Sequence, residues 1–85
     1  MPSYPVYQFN GSTDYAAVLS TVELMYSDLT SQSKGCCHSK KIEEVLCESD
    51  KLLQAATIDF NRGNTLRYQN DVKVAYKLLF AIVNN

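Results

Sequence analysis

The stretch SQSKGCCHSKK, Ser31 to Lys41, is a polar interruption between two amphipathic helical patterns, and its reading decides the fold. Ser, Gln, Lys and Gly give no apolar period that would carry a helix through, and Gly35 can take the left-handed geometry of a helix terminus. The pattern after this stretch therefore folds back on the pattern before it. The same residues include two of the three cysteines and the only histidine, so this is also the first place to look for chemistry.

Toward the N-terminus, Tyr15, Val18, Val22, Met25 and Leu29 recur at spacings of three and four, with Leu19 and Tyr26 widening the stripe. That period predicts a helix over 13–32. Ser12 or Thr13 is the expected cap, Asp14 complements the helix dipole, and Leu24 falls off the stripe. Ahead of this helix, Pro2, Pro5 and Gly11 surround Tyr4, Val6, Tyr7 and Phe9. Prolines this close together favour an extended arm over residues 1–11. Such an arm either straps its aromatics onto the bundle or frays as a terminus. The sharper alternative is a partner-binding arm ordered on assembly.

Toward the C-terminus, Ile42, Leu46, Ser49, Leu53, Ala56 and Phe60 share one seam, flanked by Val45 and Leu52, which predicts a second helix over 40–62 capped by Ser39. Small residues at Ser49 and Ala56 allow close approach of a neighbour. The run Phe60-Asn61-Arg62-Gly63-Asn64 reads as a helix end with glycine just past it. A single glycine costs only about 1 kcal/mol inside a helix, so separate helices and one long bent helix over 40–83 both stay open. A third helix over 65–83, capped by Asn64, Thr65 or Asn70, has the stripe Tyr68, Val72, Ala75, Leu79 and Ile82, widened by Tyr76 and Val83.

In that last helix the apolar pattern overflows. Across VKVAYKLLFAIV, Val74, Leu78 and Ala81 form a second line and Phe80 adds bulk, while Lys73 and Lys77 mark the polar edge. A helix apolar nearly all round is buried on more than one side. Two short helices can cover only part of it, so Val74, Leu78, Phe80 and Ala81 are the expected interaction surface.

The resulting expectation is an all-α, small antiparallel bundle of three helices, with the arm at 1–11 and a single bundle domain at 12–85. At 85 residues one core is marginal, and association with a second copy, most simply as a homodimer, is expected to complete it. The 8 Lys and Arg are offset by 9 Asp and Glu, giving a net charge of −1 and no basic footprint for nucleic acid. MPSYPVYQFN lacks the cationic flank and apolar core of a signal peptide, and no apolar run approaches the roughly 18 residues of a membrane helix. Three cysteines, two of them adjacent, suit a reducing compartment. The expected setting is cytoplasmic, with a protein as partner.

For chemistry, Cys36, Cys37, His38 and Cys47 supply the thiol and imidazole groups that zinc prefers. Structural zinc sites space their cysteines two to four apart, however, whereas adjacent side chains diverge, and Cys47 lies about 12 Å into the next helix at 1.5 Å per residue. No metal or cofactor is expected. Cys36 and Cys37, near Lys34, Lys40, Lys41 and a helix start, are candidate redox-sensitive thiols, so a thiol-based or metal-responsive switch is one alternative function. A cysteine nucleophile also needs an oriented base, and His38 has no evident partner to orient it. Glu43, Glu44, Glu48, Asp50 and Asp59 read as a solvated face rather than a catalytic carboxylate pair, and neither a phosphate loop nor HExxH is present. The chain is expected not to be an enzyme.

The last stretch, VKVAYKLLFAIVNN, residues 72–85, resembles the C-terminal helix of type III secretion needle subunits, which also run from VKV to an AIV-type ending followed by Asn. The resemblance implies a helical hairpin that packs into a filament, as a second alternative. The chain departs from that family at the turn, where GCCHS replaces a proline-flanked loop, and at Gly63. The leading expectation is a protein–protein interaction module, such as a small adaptor, chaperone-like or assembly subunit, that uses the second apolar face of the last helix.

Overall fold

The computed structural model describes residues 4–33 and 40–83, which form three helices and, among the described residues, no strand. They are α1 (Tyr15–Ser33), α2 (Lys40–Asn61) and α3 (Thr65–Val83). The chain is an all-α helical bundle. α3 lies in the middle, packing extensively on both α2 and α1, while α1 and α2 barely touch each other. The result is a flattened body with extents of 40 × 24 × 15 Å.

The core follows the helical period. Val18, Val22, Met25 and Leu29 of α1 meet Val45 and Ala56 of α2 and Val72, Ala75, Tyr76 and Leu79 of α3, all of them buried. Ser49 is fully buried as well, and with Ala56 it puts two small residues among the buried positions of α2. Leu24 is exposed, as its place off the stripe requires.

Two local details differ from the sequence expectation. Asp14 caps α1, its Oδ1 accepting from the amides of Ala16 at 3.1 Å and Ala17 at 3.3 Å. Thr13 is not free to cap, because its hydroxyl donates to the Gln8 carbonyl at 2.6 Å and accepts from the Asn10 amide at 2.9 Å. Phe60, assigned to the α2 seam, is 66% exposed, since it sits in the last turn of α2 where only the beginning of α3 lies opposite.

α2 and α3 are separate helices. Gly63 adopts φ of +77°, the Asn64 amide donates to the Asp59 carbonyl at 2.8 Å, and the Gly63 amide donates to the Phe60 carbonyl at 3.2 Å. This paired pattern is the Schellman ending, which satisfies the last carbonyls of α2 and needs a residue that tolerates positive φ. The next amides start α3 at once, Tyr68 donating to the Asn64 carbonyl at 2.9 Å.

Candidate interaction surface

Cys36, Cys37 and His38 lie outside the described residues. Cys47 is free and exposed on α2. Among the described residues no group of three His, Cys, Asp or Glu is placed to hold a metal ion, and no helix is long and apolar enough to cross a membrane.

The residues expected to form the second face of α3 occupy three different settings. Ala81 is exposed and Val74 is half-buried. Leu78 and Phe80 pack against the margin of the core, and the Phe80 ring lies 5.2 Å from that of Tyr76. The largest exposed apolar side chains are elsewhere. Leu66 is 82% and Phe60 66% exposed at the α2–α3 turn, with Ile58 also exposed two residues before Phe60. Phe60 leans on Tyr68, ring centres 5.3 Å apart, beside a cleft of about 160 Å³ lined by these two residues, Gly63, Thr65 and Gln69. The sequence carries only an ambiguous signal for this tip: Phe60 fits the α2 stripe, and Leu66 precedes the α3 stripe without belonging to it.

Carboxylates meet behind the tip. Burial pushes the Asp71 carboxyl up to about 6, helped by a hydrogen bond to, and the charge of, Asp59, while Arg67 pulls the other way. Asp71 Oδ2 is closed off from solvent. Tyr68 is raised as well, first by burial and then by the charges of Asp14, at the cap of α1, and Glu23 on α1.

The arm makes the other distinctive surface. Residues 4–9 have no regular secondary structure and lie against α1 and α3, with Tyr4, Tyr7 and Phe9 half-buried. The Tyr76 hydroxyl donates to the Pro5 carbonyl at 2.9 Å and accepts from the Tyr7 amide at 3.3 Å. The Tyr7 hydroxyl bonds Thr21 Oγ1 at 2.9 Å, and that of Tyr4 donates to the Asp28 carboxylate. That bond, then burial, then the negative charge of Asp28 push the Tyr4 phenol up to about 12. The Phe9 ring packs 5.6 Å from Tyr76 and 6.0 Å from Tyr15, with the Lys73 and Lys77 ammonium groups 5.8 and 5.9 Å from its centre.

Compared with family models, curated proteins and solved structures, the chain matches none.

Proposed function

We propose that this chain is a non-enzymatic protein–protein interaction module that works as a homodimer or small assembly subunit in the cytoplasm. The observation that carries the reading is the exposure of Leu66 and Phe60 at the α2–α3 turn. Large apolar side chains left in water at one end of the bundle favour a protein surface that covers them. The outer line of α3, with Ala81 and Val74, extends the same reading along the central helix.

Light scattering after size-exclusion chromatography, run from low to high micromolar, is the test. A mass that rises toward two chains is expected, and Leu66→Glu should return it to one. A strictly monomeric species throughout that range refutes the self-association. Leu78→Glu separates the two candidate surfaces: dissociation with helicity intact assigns that line of α3 to the interface, whereas global unfolding assigns it to the monomer core.

A further inference from the structure

We propose that the groove between α1 and α3 is a docking site for an extended, aromatic-bearing peptide segment of a partner protein, and that the chain's own arm occupies it as a displaceable strap. The inference rests on the interaction-module reading but uses a different surface from the helical turn. The arm supplies the template for the occupant. Tyr76 reads main chain, its one hydroxyl serving the carbonyl of Pro5 and the amide of Tyr7, two residues apart in a segment that joins no helix. A side chain that pairs with backbone groups in this way accepts any extended peptide that reaches it.

Specificity comes from the groups around Tyr76. Thr21 Oγ1 and the Asp28 carboxylate bond the hydroxyls of Tyr7 and Tyr4, so they select rings that carry a phenol. Farther along, Lys73 and Lys77 flank the third ring at cation–π distance, a setting that favours an aromatic without demanding a hydroxyl. The expected partner segment is thus extended and carries Tyr, Tyr and an aromatic at the spacing of Tyr4, Tyr7 and Phe9.

The arm is built to leave. None of residues 4–12 is fully buried, Val6 is 76% exposed, and the main chain of 4–9 joins no helix or sheet ladder. Among the described residues the main chain of 4–9 is held only through side-chain hydroxyls, those of Tyr76 and Thr13, so it opens locally while the helices beneath it stay paired. A strap of this kind lowers the apparent affinity of a competing peptide by the fraction of time the groove is vacant.

The experiment uses the full chain and a fluorescein-labelled peptide with the sequence of residues 4–12, YPVYQFNGS, read by fluorescence anisotropy. The Tyr4→Ala, Tyr7→Ala chain, checked for wild-type helicity by circular dichroism, is expected to bind the peptide roughly tenfold tighter than the unaltered chain. Adding Tyr76→Phe should remove most of that gain. Equal or absent binding to the two chains overturns the proposal. If the arm variant loses helicity, hydrogen exchange on the unaltered chain decides. Excess peptide must speed exchange of the Tyr7 amide and leave those of Val72 and Leu79 unchanged, and no acceleration overturns the proposal. A dimer that disappears in the arm variant also overturns it, by assigning the groove to a second copy's arm. Self-association without peptide binding refutes the groove alone, and peptide binding to a strictly monomeric chain supports the groove while refuting the homodimer.

Discussion

Asp71→Asn should stabilise the chain near neutral pH. The Asp71 carboxyl titrates at about 6 in the folded chain against an ordinary value of 3.8, with burial as the largest cause and Asp59 as the next. A raised folded value means that the folded chain holds the proton more tightly than the unfolded chain. The stability this group contributes is therefore fully present below 3.8 and is lost as pH rises through about 6. A shift of about two units corresponds to a ceiling of about 3 kcal/mol at about 1.4 kcal/mol per unit. Asp71 is only half-buried, so solvent screening reduces the expected effect to about 1 kcal/mol. In a domain of this size that is a melting-temperature difference of about 4–8 °C. The side-chain amide introduced by this substitution would imitate the protonated acid and give Asp59 a donor at any pH. Thermal melts followed by circular dichroism across mildly acidic to neutral pH supply the assay. The wild-type midpoint should fall between the two titration values while that of the variant stays nearly flat, with the two converging at the acid end. A wild-type midpoint with no fall across that interval, or a variant no more stable at neutral pH, refutes the argument that burial, with Asp59 beside it, raises Asp71 in the folded chain.

Three further substitutions probe the bundle. Met25→Ala removes a fully buried side chain from the centre of α1 and should cost about 2–5 kcal/mol in urea unfolding. Gly63→Ala places a Cβ at φ of +77° with no atom nearby to clash, so only backbone strain remains and a loss of about 1 kcal/mol is expected by the same measurement. Ser49→Ala should be neutral or stabilising by up to about 1 kcal/mol, because the Ser49 hydroxyl is buried without a hydrogen-bond partner. A marked loss in that variant would show that the hydroxyl is satisfied.

The helical stripes were legible because a 3.6-residue period is dictated by backbone geometry. Val18, Val22, Met25 and Leu29, at spacings of three and four, are all buried in the structure. What escaped was set by how the chain turns at the helix ends and how the helices then pair. Thr13 reads as a cap until the arm claims its hydroxyl through Gln8 and Asn10, leaving the role to Asp14. Phe60 reads as seam until the abrupt reversal at Gly63 leaves its ring at the edge of the bundle. The acidic pair is equally hidden, for Asp59 and Asp71 stand twelve residues apart and become neighbours only when α2 and α3 pair. For the candidate site, the sequence pointed at Val74, Leu78, Phe80 and Ala81, with Cys36 and Cys37 as the alternative, whereas the exposure of Leu66 and Phe60 at the α2–α3 turn follows from how the two helices meet.

The breadth of the apolar surface on α3 has a physical account within the chain. A helix flanked by two neighbours that barely touch each other has two sides to bury, and its face between them needs a further cover. Tyr76 receives part of that cover from the arm, hydrogen-bonded to it and ringed by Tyr7 and Phe9, and the Phe80 ring lies against Tyr76. Leu78 is taken up at the core margin. The apolar excess of VKVAYKLLFAIV therefore does not translate one for one into partner surface. A substantial share is satisfied internally, and the balance depends on whether the arm stays in place. Displacing the arm would expose the aromatic side of α3 around Tyr76. That makes the arm, rather than the composition of α3 alone, the element that decides how much of this helix is exposed.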